Sequence, residues 1–243
     1  GSFIVGWWGW QFVFIMLAVI TAIITAAVFF FLPQAHAGDK TISLKPVPII
    51  TGFKNVVTNP KFYVFALAGS FSFSGLFVYV AHSPAIFMNH FQLTEKQYGG
   101  LFALLSVGFI GGSQLNHILT KKFNNQTILK TVLLIQTITA VLFLIGALQQ
   151  WYGLTAVIVL LFISLSCCGI TYPNAAALCM APFAKNAGTA SSLLGFIQIG
   201  IGGLISGCVS MLPFDAVTAM AFIMAVTTVI ALAILLLGQK AKP

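Results

Sequence analysis

Phe73 and Phe77 stand four residues apart in a run without charge. That spacing puts both rings on one face of a helix, where they could stack on a planar molecule. Tyr79 falls nearly opposite, on a face with Ser72 and Ser83, and could offer a ring and a hydroxyl to an amphipathic one. For each aromatic the other reading is packing, lipid contact or an interfacial position. Cys167, Thr171 and Asn174 share a face beside Pro173. Proline removes a backbone hydrogen bond, frees a carbonyl and permits a bend, so Asn174 reads either as a ligand contact beside a hinge or as half of an interhelical hydrogen bond. Ser191, Gly195, Gln198 and Gly202 share another face. A lone amide at mid-depth must find a partner, which makes Gln198 the polar residue best suited to a central cavity, with a helix–helix bond as the alternative. Ser70 with Ser74, Gly203 with Gly207 and Gly108 with Gly112 read as small residues that let helices approach closely. His82 is the local candidate for a protonation switch, its other reading being an interfacial anchor; His36, His90 and His117 fall in loops or at span ends.

These side chains must be positioned by elements that suit a lipid solvent. The chain is 59% hydrophobic and 6% charged, with a mean hydropathy of +1.04, whereas about a quarter of the residues in soluble domains are charged. A bilayer core about 30 Å thick calls for roughly 20 apolar residues per helix, and several charge-free stretches reach that length. In hydrocarbon every backbone N–H and C=O must be satisfied internally, so these stretches are expected to be helices. The alternation of a membrane barrel is not visible. Seven spans are expected: Gln11 to Leu32, Phe62 to Phe87, Tyr98 to Ile118, Thr131 to Leu148, Leu154 to Ala181, Gly188 to Leu212 and Ala216 to Leu237. The longest connection, Pro33 to Lys61, carries Pro46, Pro48 and Pro60 and reads as a loop or surface-lying segment.

Charge sets the expected orientation. There are eleven lysines and no arginine, against Asp39, Glu95 and Asp215, for a net charge of +8. Every lysine except Lys96 follows an odd-numbered span, and short Lys-rich loops stay in the cytoplasm. The C-terminus is therefore expected to be cytoplasmic and the N-terminus external. The chain opens Gly-Ser, without an initiator Met or a basic leader, and further spans are expected to precede it.

Several segments, taken in order, resemble the bicyclomycin-resistance (Bcr/CflA) branch of the drug:proton antiporters in the major facilitator superfamily. GWWGWQFVF, Gly6 to Phe14, is similar to the aromatic loop entering that family's sixth helix. NPKF, Asn59 to Phe62, resembles the entry to the seventh helix, and SFSFSGLF, Ser70 to Phe77, the Ser/Phe-rich seventh helix itself. AGTASSLLGFIQIGIG, Ala187 to Gly202, resembles the start of the eleventh. The resemblance implies an all-α integral membrane fold: residues 1–32 as an external loop and the last helix of the N-terminal bundle, 33–61 as a cytoplasmic linker, 62–238 as the C-terminal six-helix bundle and 239–243 as a cytoplasmic tail. It implies proton-coupled efflux of small drug-like amphipathic compounds across a bacterial inner membrane, by alternating access about a midplane cavity shared with N-terminal helices. Phe73, Phe77, Tyr79, Asn174 and Gln198 become the expected substrate contacts, and His82 the local proton-coupling candidate. The segment Asn116 to Asn125 departs from the family, with only Lys121 and Lys122 where many relatives carry a longer Arg/Asp pattern.

Other classes fit less well. Nucleic-acid binding needs a clustered basic patch, and the lysines are scattered. The four cysteines, Cys167, Cys168, Cys179 and Cys208, lie in spans without CxxC spacing, so neither a disulfide framework nor a metal site is expected, and no cofactor. A seven-helix receptor shares the topology, but a retinal protein needs a lysine in its last span, and Ala216 to Leu237 has none. No carbonyl-filter or acidic-ring motif marks a channel. No nucleophile, base and acid constellation marks an enzyme. None of the spans holds an Asp, a Glu or a mid-depth Lys, so the titrating group of a proton-driven cycle is expected in the N-terminal helices.

Overall fold

The computed structural model describes residues 2–31 and 46–240. Residues 1, 32–45 and 241–243 lie outside it, and with them much of the expected linker and of the tail. The described residues form nine α-helices: α1 (Ser2–Trp8), α2 (Gln11–Phe31), α3 (Pro46–Val57), α4 (Pro60–Pro84), α5 (Glu95–Leu119), α6 (Asn125–Leu148), α7 (Leu154–Met180), α8 (Ala187–Val209) and α9 (Ala216–Lys240). Seven of them, α2 and α4 to α9, are long and apolar enough to cross a membrane.

Local signals start α4, α5, α6 and α9. Asn59 caps α4 by accepting the Lys61 N–H, with Pro60 in the first turn, where its missing N–H costs nothing. Thr94 and Gln97 form a capping box on α5, and Asn124 caps α6 by accepting from Thr127 at 2.7 Å. Asp215 accepts the N–H groups of Val217 and Thr218, both at 3.1 Å, at the head of α9. Three elements differ from the sequence reading. α6 begins at Asn125, earlier than Thr131, because the cap makes the polar first turns helical. α4 runs on from Pro84 into a π-helical turn, Ala85–His90. α3 is a helix within the segment expected as a loop or surface-lying stretch, since Pro46 and Pro48 occupy its first turn.

Helices α4 to α9 make one bundle. α4 packs against α7, α8 and α9; α7 packs against α4, α5 and α6; α6 and α9 pack against each other. Exchanging α4 with α7, α5 with α8 and α6 with α9 leaves this pattern unchanged. Each set of three holds an odd number of spans, so the second set enters from the opposite side, which is the arrangement of inverted repeats. α2 stands apart: its main partner is α1, and none of its residues is buried. Ala18, Thr21, Ala22, Thr25 and Ala26 line a shallow groove along it.

The central contacts depend on missing side chains. A Cβ on Gly112 of α5 would collide with the Ser166 carbonyl of α7, and one on Gly169 of α7 with the Phe109 carbonyl of α5. The two backbones therefore meet without room for a side chain between them, which is how lipid-embedded helices gain contact when lipid supplies no hydrophobic drive. Gly195 of α8, by contrast, has nothing within 4 Å of a Cβ. Gly112→Ala is expected to lower stability in detergent by about 1–3 kcal/mol through overpacking. Gly195→Ala should be neutral or stabilising, by up to about 1 kcal/mol, from helix propensity. Thermal unfolding followed by circular dichroism separates them; equal effects would contradict the close α5–α7 approach.

Candidate functional site

The site is built from neighbouring residues of the two central helices that face different ways. Ser72 of α4 is fully buried and donates to Gln136 Oε1 of α6 at 2.7 Å; the Gln136 amide donates back to the Ser72 carbonyl at 3.2 Å. The Thr171 hydroxyl of α7 lies 2.9 Å from the same Ser72 hydroxyl, and the Cys168 thiol reaches the Ser72 carbonyl at 3.7 Å. This knot ties α4, α6 and α7 together and satisfies a polar cluster in the dry interior. Gln136 escaped the sequence reading, although the criterion applied to Gln198, a lone amide in a charge-free span, would have marked it.

One residue further along each helix, a turn of about 100°, the chemistry changes. Phe73 and Tyr172 point away from the knot and meet with ring centroids 4.8 Å apart. Phe77 joins Phe73 at 5.8 Å and Phe109 of α5 joins it at 6.2 Å, both edge-on. All four rings are half-buried. Phe77 also fills the space at Gly202 of α8, where a Cβ would strike its ring. The result is an aromatic wall across α4, α5, α7 and α8, on the side of the bundle away from Gln136. Phe109 and Tyr172 were also missed from the sequence; Phe109 shares its span with Tyr98 and Phe102, and Tyr172 shares its span with Phe162, so residue type alone did not single them out.

The structure brings Phe73 and Phe77 together and places Gln198 one helical turn from Gly202, which Phe77 meets, while Tyr79 and Asn174 make their contacts elsewhere. Tyr79 is buried in the core, stacked on Phe102 at 5.7 Å, and its hydroxyl has no partner among the described residues. Asn174 donates to Asn116 of α5 at 2.6 Å and to the Ile170 carbonyl at 2.7 Å. Asn116 lies inside α5, within the expected third span, so the α5–α7 pair carries an amide link as well as its glycine contacts. Gln198 is 8% exposed, on α8 one turn from Gly202, and makes no hydrogen bond to a described residue. Ser70 is likewise buried, its hydroxyl without a partner among the described residues, while Ser74 bonds its own backbone at Phe71.

His82 Nε2 lies 3.0 Å from the Ser206 carbonyl in the last turn of α8. Helix ends leave such carbonyls free, so an Nε2–H donor there caps α8 and ties it to α4. Both the Nε2-protonated neutral ring and the cation carry that donor, so this bond survives protonation. On the same side, a cavity of about 240 Å³ is lined by His90, Gln150, Tyr152 and Asp215 among others. Partial burial pushes the Asp215 carboxyl up, but hydrogen bonds from the Thr218 side chain and backbone and from Val217, with His90 nearby, hold it below its ordinary value. No group of three or more metal-ligating side chains gathers among the described residues. Cys167, Cys168 and Cys179 are buried, and Cys208 is exposed. Since an unpaired buried hydroxyl costs free energy, Tyr79→Phe is expected to be neutral or to stabilise by up to about 2 kcal/mol, read from thermal unfolding in detergent. A loss of more than about 1 kcal/mol would mean that the hydroxyl has a partner.

Three relatives share this architecture's sequence. The chain is 27% identical over 231 residues to a bicyclomycin resistance protein homolog of Haemophilus influenzae, covering 95% of this chain and 58% of that protein. It is 24% identical over 224 residues to an uncharacterized MFS-type transporter, YdgK, of Bacillus subtilis, covering 91% and 54%. It is 27% identical over 164 residues to the multidrug resistance protein MdtL of a Shewanella species, covering 67% and 41%. The chain thus spans roughly half the length of these curated relatives. The sequence profile described as Major Facilitator Superfamily matches residues 1–207. With that match over most of its length, and seven apolar helices of which six pack as two inverted triplets, the chain belongs to the major facilitator superfamily.

Proposed function

We propose that the chain is the C-terminal portion of a proton-coupled exporter of small amphipathic compounds, working by alternating access. The observation that carries this reading is the aromatic wall of Phe73, Phe77, Phe109 and Tyr172 on one side of an inverted-repeat bundle. A wall of rings with few polar groups suits planar, partly apolar molecules of varied shape, and such pockets discriminate weakly between them. The relatives named for bicyclomycin and multidrug resistance support the same substrate class. On this reading the protein moves its substrate unchanged and is not an enzyme.

In this proposal Phe73 and Phe77 stack on the substrate, and the Gln198 amide, without a hydrogen-bond partner among the described residues, offers it a hydrogen bond from the α4–α8 junction. Asn174 and Tyr79 serve packing, the first through Asn116 and the second through Phe102. The opposite side of the cavity comes from an N-terminal bundle whose last helix is α2, a role supported by the groove of small residues along a helix with no buried side chain. Residues 33–61 then link the bundles, and 62–238 form the second one. The described carboxylates, Glu95 and Asp215, sit at the heads of α5 and α9 and not within the membrane, so the proton-binding group belongs to the N-terminal bundle. The capping geometry of His82 favours an anchor over a proton carrier. The lysine distribution supports a cytoplasmic C-terminus in a bacterial inner membrane.

The test is efflux of a planar aromatic cation such as ethidium from bacterial cells. The chain alone should give no efflux, because half of its cavity is absent. Joined to the first five spans of the Haemophilus influenzae relative, it should give efflux that a protonophore abolishes. In that background Phe73→Ala and Gln198→Ala should each reduce the rate about tenfold, the loss of roughly 1.4 kcal/mol of contact. Saturable, proton-dependent efflux by the chain alone would overturn the proposal, as would full activity in both variants.

A further inference from the structure

α5 and α6 are consecutive and joined by the short connection Thr120–Asn124, yet they scarcely touch; each packs instead against α7. A wedge therefore remains between them. It holds an almost wholly apolar cavity of about 180 Å³ lined by Leu119, Phe123, Thr127, Ile128, Thr131 and Val132. Its floor is a buried cluster in which Ile128 and Val132 meet Cys167 and Ile170 of α7. Phe123 at its mouth is 54% exposed, and beside it Lys121 and Lys122 are both exposed. Among the described residues the only carboxylates, Glu95 and Asp215, belong to the opposite ends of the spans, so neither lysine has a described acidic partner.

We propose that this wedge is a binding site for an anionic phospholipid, with one acyl chain against Leu119, Ile128 and Val132 and the phosphate held by Lys121 and Lys122. The pseudo-symmetric counterpart between α8 and α9 sharpens the assignment. Its connection, Ser210 to Asp215, holds no lysine and ends in a carboxylate, so it offers no complement to a phosphate. Apolar surface and uncompensated positive charge occur together at the α5–α6 mouth, which is the pairing that selects an anionic lipid over a neutral one. The leaflet, cytoplasmic, follows from the sidedness adopted under the proposed function and rests on that reading; the binding itself does not depend on transport.

The experiment is native mass spectrometry of the 243-residue chain in detergent, titrated with phosphatidylglycerol and, separately, phosphatidylcholine of the same acyl chains. The chain should retain phosphatidylglycerol preferentially. Each lysine near an anionic headgroup is worth about a factor of five, so K121Q/K122Q should weaken phosphatidylglycerol about 25-fold and leave phosphatidylcholine unchanged. Thr131→Trp, which fills the wedge and keeps the lysines, should weaken both lipids. Lys130→Gln, an exposed lysine on another face of α6, should leave both unchanged. Helicity by circular dichroism shows that each variant is folded. Equal retention of the two lipids, or an effect of Lys130→Gln as large as that of K121Q/K122Q, would overturn the site. In intact cells, Lys122→Cys in a Cys208→Ser background should resist an impermeant thiol reagent; labelling from outside would overturn the leaflet, while the lipid preference in detergent would stand.

Discussion

A helix in hydrocarbon has nowhere to put an unpaired polar group, and lipid gives it no hydrophobic reason to meet another helix. The bundle answers both constraints at α4 and α7. Backbone approaches backbone at Gly112 and Gly169, where dispersion contacts are densest, and the hydroxyls and amides that enter the interior pair across helices, as Ser72 does with Gln136 and Asn174 with Asn116. α5, α6, α8 and α9 are placed by their contacts with these two central helices. Where a buried polar atom has no partner among the described residues, as at Ser70 or Tyr79, it costs stability.

The division between holding the fold and serving a ligand runs along each central helix at single-residue resolution. Ser72 and Thr171 face inward and knit; Phe73 and Tyr172, the next residues, face outward and form a wall. An α-helix turns about 100° per residue, so one short segment can do both without compromise. A change at Ser72 or Gln136 therefore acts on the proposed substrate wall indirectly, by rotating or releasing the helix that presents it.

Hydropathy and length were enough to place the seven spans, because the lipid requirement acts on whole segments. Faces were harder. The four-residue spacing of Phe73 and Phe77 was visible, but choosing between their face and that of Tyr79 needed the neighbours, since a charge-free span has no polar side to mark the outside. Asn116 stands near the end of the expected third span with His117, Thr120 and two lysines after it, and nothing in that spacing announced that it is buried in the last turns of α5 and bonded to Asn174. α3 was hidden by prolines that break a helix interior but suit its first turn. The exchange of α4 with α7 and of their partners is a property of packing alone.

The claim on which this account turns is that the aromatic wall faces a substrate cavity completed by other helices. The direct measurement is the alkylation rate of a cysteine placed at Tyr172, in a Cys208→Ser background, with the chain joined to the five preceding spans of a relative. The account predicts that this cysteine reacts with a small thiol reagent and that a transported planar cation slows the reaction in a saturable way. Transport of that cation with no change in the alkylation rate at any concentration would contradict it.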